Sequence, residues 1–239
     1  LSRTCRFMLT EEAHHMFVGE TGVSRTIEAT VNVMLKHGIS DPLDIPRVRS
    51  YNVIDLPTIQ KKLNLHYSLS LDLFGQEVST NAANAFNAGI KGRYMEVRID
   101  DDHQLNNNTY VVRNVVNGAI VSEEVPALTA INMRLRDDYV RDAAGGVGRW
   151  NKLLKKAGVD FEFALPHESF HRQIGVFSAI KASPEGDILS DAEWEKNCEK
   201  WLPNKEDGAY IQSLMKPCYT PGEYASSIAP PKVGIDNKP

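Results

Sequence analysis

The stretch Leu9-Thr-Glu-Glu-Ala-His-His-Met-Phe-Val-Gly-Glu-Thr-Gly22 decides how the chain is read. Around it, Phe7, Met8, Leu9, Met16, Phe17 and Val18 interleave with charged residues at helical spacing. Ser2 to about Gly19 therefore reads as one amphipathic helix. Glu12 and His15 stand three residues apart, so their side chains leave the same helix face. A carboxylate oxygen and an imidazole nitrogen on one face make the Glu-x-x-His half of a carboxylate-bridged di-iron site in a helical bundle. Glu11 turns to another azimuth, where it can orient a ligand histidine from outside the metal's own shell. The same spacing also fits a solvated acidic turn beside two surface histidines.

Outward from this helix, Gly19 and Gly22 loosen the pattern and a second helical stretch runs from Val23 to Lys36. Gly38 closes it as a C-cap glycine with Pro42 just beyond. Asp41 to Leu56 reads as a connecting loop. Pro57 suits a first helical position, and from there Ile59, Leu63, Leu69, Leu73 and Val78 predict a helix to about Asn87, about 45 Å long. After Gly89 the character changes. Tyr94 to Ile99 alternates, and Thr109 to Val116 and Ala119 to Val125 flank Asn117-Gly118, a strong hairpin signal. Pro126 to about Ala157 returns to helix, with Gly145, Gly146 and Gly148 weakening its middle. Phe161 to Leu165 and Ile174 to Lys181 read as strands. Ser190 with Glu193 makes a capping box before a helix ending near Trp201. Residues 217 to 239, rich in Pro, Gly and Ser, are expected to drape over the surface. The organisation expected is mainly α, a helical part over 1–89 and a mixed α/β extension over 90–239 packed on it.

Composition narrows the function. The 239 residues are 42% hydrophobic and 24% charged, which is globular composition. With 27 Lys plus Arg against 31 Asp plus Glu, the formal net charge is −4, which argues against a nucleic-acid binder with a basic face. No apolar run approaches the length of a membrane span, and no signal peptide opens the sequence. Cys5, Cys198 and Cys218 are odd in number and far apart, which suits a reducing cytoplasm. The sequence opens at Leu1, already inside a helical pattern, so a longer parent protein is expected.

A second metal pattern competes with the first. His167-Glu168-Ser169-Phe170-His171 matches the zinc-peptidase signature H-E-x-x-H, in which two histidines one helical turn apart hold zinc and the glutamate is general base. That chemistry needs a helix, yet Pro166 immediately precedes His167 and strand-like runs lie on both sides. A di-iron site needs four carboxylates and two histidines. Asp72 and Glu77 with Glu168 and His171 complete the count on paper, but in poor bundle geometry. The remaining ligands are expected upstream of Leu1.

The opening stretch resembles the last ligand helix of the oxygenase components of benzoyl-CoA 2,3-epoxidases. The likeness continues through Leu71-Asp-Leu-Phe-Gly-Gln-Glu-Val-Ser-Thr-Asn-Ala-Ala-Asn84 and Gly89-Ile-Lys-Gly-Arg93. It also covers Leu135-Arg-Asp-Asp-Tyr139, Trp150-Asn-Lys152, Leu165-Pro-His167, Phe170-His-Arg172, Leu214-Met-Lys-Pro217 and Ala229-Pro-Pro231. Members are about twice this length, so the resemblance implies a C-terminal half that relies on the N-terminal half of the same protein. It implies a ferritin-like di-iron monooxygenase that takes benzoyl-CoA, O2 and electrons from a separate NADPH-dependent flavin and iron–sulfur reductase. It makes Glu12 and His15 iron ligands and catalytic residues, and Glu11 their outer support; no role extends to His14. Coenzyme A phosphates call for charge-assisted hydrogen bonds, and Lys91 and Arg93 are the first candidates, with Asn84 and Arg172 behind them. The alternatives are a zinc metallopeptidase through His167, Glu168 and His171, and a non-catalytic ferritin-like protein that binds acyl-CoA.

Overall fold

The computed structural model describes residues 2–78, 108–220 and 222–232. In chain order it has helices α1 (Ser2–Lys36), α2 (Ile45–Arg49) and α3 (Leu56–Asp72), then strands β1 (Thr109–Val116) and β2 (Ala119–Pro126). Helix α4 (Ile131–Ala157), a 3-10 turn (Val176–Ala179), strands β3 (Lys181–Ala182) and β4 (Ile188–Leu189), and helices α5 (Asp191–Trp201) and α6 (Lys205–Leu214) follow. Among the described residues the protein is mainly α with two antiparallel β pairs, as its periodicity suggests. The chain forms two compact units that interleave in sequence: 1–61, 146–164 and 203–239 make the first, and 62–145 and 165–202 the second. The boundary expected near Gly89 lies outside the described residues, as do the strand over Tyr94 to Ile99 and the candidates Asn84, Lys91 and Arg93.

In the first unit, α1 is a single uninterrupted helix of 35 residues. Gly19 and Gly22 do not divide it, because extending an existing helix costs far less than nucleating a new one. It ends as expected, with Gly38 at φ +61°. Its second half buries Ile27, Thr30, Val31 and Met34, a spacing that keeps one side inward. The supposed loop after it holds α2, capped by Asp44, whose side chain accepts from Arg47 N. Arg49 then gathers the unit's polar centre. Its Nε donates to Asp55 Oδ2 at 2.7 Å and its Nη2 to Asp207 Oδ1 at 2.6 Å, while its guanidinium lies over the Tyr210 ring. Asp207 belongs to α6, a helix not expected from sequence, which opens on a capping box of Asn204 and Asp207. The C-terminal segment is pinned and does not merely drape: Ala229 is buried, its N donates to Arg25 O at 2.9 Å, and Arg25 Nε donates to its O at 2.6 Å.

In the second unit, α3 stops at Asp72, well short of Asn87. Gly75 adopts φ +82°, a left-handed conformation that favours glycine and ends the run. At 17 residues the helix is about 25 Å long, not 45 Å. The hairpin forms as read, with Val116 opposite Ala119 around Asn117 (φ +51°) and Gly118 (φ +78°). Its buried Val112 packs with Ala130 and Met133 at the start of α4. Helix α4 runs through Gly145, Gly146 and Gly148 unbroken. The strands expected over Phe161 to Leu165 and Ile174 to Lys181 are absent. The first is irregular; the second is the 3-10 turn with only Lys181–Ala182 paired to Ile188–Leu189. Gly175 at φ +82° breaks that second run.

Two buried ion pairs fix the loop that follows. Asp72 accepts from Arg172 Nε at 2.6 Å and from Gln173 N at 2.9 Å. Glu77 accepts from Arg136 Nη1 at 3.1 Å and from Val176 N at 2.9 Å. A Cβ at Gly175 would collide with the Glu77 carboxylate, so glycine is required there by both space and backbone.

Candidate metal centre

The Glu-x-x-His pair sits where its spacing puts it. His15 Nδ1 lies 3.6 Å from Glu12 Oε2 on the first half of α1. The two donors are side by side, an oxygen and an imidazole nitrogen of the kind that iron takes. Both are open to solvent, 67% exposed for Glu12 and 62% for His15. Every described side chain from Arg6 to Gly19 is exposed, including Met8, Leu9, Met16, Phe17 and Val18.

Helical phase relates this exposed half to the buried half. At about 100° per residue, Thr30 returns to the azimuth of Glu12, and Ile27 and Met34 lie within about 60° of it. Glu12 therefore stands on the side of α1 that goes inward further along. His15 is about 60° to one side, and Glu11 about 100° from Glu12, the separate azimuth expected of it. The helix presents the pair on its burying face, at a level where no described residue covers that face. Among the described residues, no group of three or more His, Cys, Asp or Glu side chains is placed to hold a metal ion. The donor chemistry of Glu12 and His15 is that of one Glu-x-x-His half of a di-iron site.

Asp72, Glu77, Glu168 and His171, which completed that set on paper, are otherwise engaged. The first two hold Arg172 and Arg136 as above. Glu168 pairs with Arg113, and His171 Nδ1 lies 3.1 Å from Ser68 Oγ with its ring stacked on Trp194 at 7°.

The H-E-x-x-H signature has no helix to display it. Residues 168–171 form a turn and His171 has φ +51°. His167 Nδ1 is 2.7 Å from Ser169 Oγ, so the two imidazoles serve different neighbours. Burial pushes both histidines below the ordinary value, with Glu168 opposing it at His167 and Asp72 at His171. Both favour the neutral form. Pro166 and its non-helical surroundings are sufficient reason for this outcome.

Arg172, a candidate for coenzyme A phosphates, is buried, with its guanidinium given to Asp72 and to Glu168 O. One cluster was not anticipated. Tyr110 OH donates to Asp137 Oδ2, and burial, then that bond, pushes the phenol up. Burial also raises Asp137, with the Tyr110 bond opposing it. Tyr67, buried and stacked near Tyr139, is raised by burial and then by the Glu168 charge. These partners lie far apart in sequence, so no local spacing announces them.

No protein-family model matches the chain. No helix among the described residues is long and apolar enough to cross a membrane. The chain is 50% identical, over all 239 of its residues, to benzoyl-CoA oxygenase component B of Aromatoleum evansii, and it spans about half the length of that curated relative. From end to end, therefore, this sequence is similar to component B of a benzoyl-CoA oxygenase.

Proposed function

We propose that the chain is the C-terminal part of the oxygenase component of a cytoplasmic di-iron aryl-CoA monooxygenase, with benzoyl-CoA as substrate. Glu12 and His15 are one ligand pair. The other Glu-x-x-His pair and two further carboxylates come from upstream chain, completing a ferritin-like bundle around α1. The observation that carries this reading is the pair's position on the burying face of α1, side by side and framed by large apolar residues. Iron held there by Glu12, His15 and the upstream ligands would supply dioxygen binding and reduction, the chemistry that would place one oxygen atom on the aromatic ring as an epoxide and release the other as water. The two electrons this requires come from NADPH through a separate flavin and iron–sulfur reductase.

The chain's own residues position and shelter. Glu12 brings negative charge and His15 a neutral donor to the metal. Glu11 orients imidazole from outside the coordination sphere, and Met8 and Met16 keep water from the same face. Because Arg172 is committed to Asp72, the coenzyme A phosphates fall to Lys91 and Arg93, with Asn84 as a neutral contact. The test is elemental analysis and turnover of the longer protein carrying Glu12→Ala or His15→Ala. Iron content and benzoyl-CoA epoxidation should both be lost. Retention of iron in Glu12→Ala refutes the assignment, and zinc that depends on His171 instead would restore the peptidase.

A further inference from the structure

We infer that Arg149 is a positioning residue for the proposed metal centre: by gripping Glu20 it fixes the direction in which the half of α1 carrying Glu12 and His15 points. Arg149 stands on the second half of α4, in the same unit as α1. Its Nη2 donates to Glu20 Oε2 at 2.7 Å, and its Nε donates to Glu20 Oε1. Two parallel bonds between a planar guanidinium and a planar carboxylate fix an orientation, where a single bond fixes only a distance. The bond to Arg149 also holds the Glu20 carboxyl below its ordinary value, against the opposing effect of burial. The grip is therefore ionic at neutral pH.

The grip falls where α1 is weakest. Glu20 lies between Gly19 and Gly22, each a poorer helix former than alanine, and nothing packs within 4 Å of where a Cβ would stand on either. Thr26 Oγ1 donates to Gly22 O at 3.0 Å, a back-bond of the kind that bends helices slightly. Such glycines and such bonds are where long helices kink. On the C-terminal side of this stretch α1 is held from several directions. Arg25 exchanges two hydrogen bonds with Ala229, Glu28 meets Lys232 at 3.1 Å, and Ile27 is fully buried. On the N-terminal side the bonds turn back into the helix itself, Thr10 Oγ1 to Arg6 O at 3.1 Å and His15 against Glu12. Leverage makes the direction matter. Glu12 lies eight residues from Glu20, about 12 Å along the axis, so a bend of about 10° at the glycines carries it by about 2 Å. A ligand constellation tolerates about 0.5 Å. Arg149 and Glu20 are 57% and 36% exposed, and pairs so open to water add little to stability. The pair is thus suited to aim α1 and not to hold the unit together, and the two roles separate by experiment.

The inference rests on Glu12 and His15 being iron ligands, but its variants leave both in place and part of its test is metal-free. Arg149→Ala, Glu20→Ala and the exchanged pair Glu20→Arg with Arg149→Glu are made in the full-length oxygenase component. In the iron-free protein, hydrogen–deuterium exchange of the amides from Gly19 to Val23 should quicken severalfold in each single variant, because a bend there opens their bonds. The amides of residues 27–36 should keep their rates, and the melting temperature should hold to within about 2 °C. The dissociation constant for ferrous iron, from competition with a chelator, should rise about tenfold. At saturating iron, kcat for benzoyl-CoA should fall while KM is unchanged. The exchanged pair should restore amide exchange, iron affinity and kcat together. Unchanged amide exchange and iron affinity in Arg149→Ala refute the inference. Faster exchange throughout the first unit with a lower melting temperature also overturns it, because the pair then supports the fold. Failure of the exchanged pair to recover iron affinity removes Glu20 as the route and overturns it equally. Iron retained by Glu12→Ala would instead sink the ligand assignment beneath it, and amide exchange would still report whether Arg149 braces α1.

Discussion

Replacing Glu77 by Gln tests what holds the second unit together. Glu77 and Arg136 are 2% and 0% exposed at the side chain and meet at 3.1 Å. The carboxylate also accepts from Val176 N, and the guanidinium also donates to Gly75 O at 2.8 Å. Glutamine keeps the shape and can still accept from one of its two partners, so neutral hydrogen-bond bookkeeping predicts a loss of only about 1 kcal/mol. The larger effect is the guanidinium left buried without its counter-charge, which costs about 3–5 kcal/mol when one partner of a buried pair is removed. With a urea dependence near 2 kcal/mol per molar, the midpoint should fall by roughly 1.5–2.5 M. Tryptophan fluorescence reads this directly, because Trp194 and Trp201 belong to the same unit. The double variant Glu77→Leu with Arg136→Met should regain most of the loss, since an apolar pair removes both desolvation penalties. A loss below about 1.5 kcal/mol for Glu77→Gln, or no recovery in the double variant, would refute the argument.

Four further outcomes are expected. Gly175→Ala should destabilise the same unit by more than 2 kcal/mol by urea titration, since the positive φ and the collision with Glu77 add. His171 is held below its ordinary value by burial, so the unfolded chain binds more protons than the folded one below about pH 6.5. Stability of the second unit should therefore fall as pH drops through that value, and His171→Asn, which tolerates φ +51°, should flatten the slope. Ser190→Ala should cost about 1 kcal/mol by removing the α5 cap, measured by thermal unfolding. Gly22→Ala should stabilise the chain alone by about 1 kcal/mol, because a helix-interior glycine gains propensity and its Cβ meets nothing.

What could be read in advance was whatever is encoded within a few residues. Asn117-Gly118 demands positive φ at both positions, and the hairpin register follows from it. Ser190 and Glu193 close a ring over three residues, so α5 was legible. The same device, Asn204 with Asp207, announced α6, but Pro203 before it and Gly208 within it obscured the signal. The overlong α3 came from following apolar spacing through Leu73 and Val78 past Gly75, whose left-handed backbone outweighs any periodicity. The strand expected after Ile174 failed because alternation in a short apolar run does not supply a partner to pair with. In the candidate metal centre, the shared face of Glu12 and His15 was legible because four residues of one helix set it. Tyr110 with Asp137 and Arg136 with Glu77 depend on tertiary approach, and nothing local records it.

The continuity of α1 makes it a screw whose thread carries information. Nothing between Gly19 and Ile27 contributes a donor to the proposed metal centre, and glycines there suggest a tolerant stretch. Yet deleting one residue in it turns everything upstream by about 100° and draws it in by about 1.5 Å, moving Glu12 off the inward side while the helix stays helical. Deleting four would restore the direction to within about 40° but pull the pair about 6 Å along the axis. Substitutions at the exposed or open positions of this segment should therefore be accepted across relatives, Glu20, Arg25 and Ile27 apart, while changes of length should be absent. A helix that looks permissive residue by residue is in this sense intolerant as a ruler.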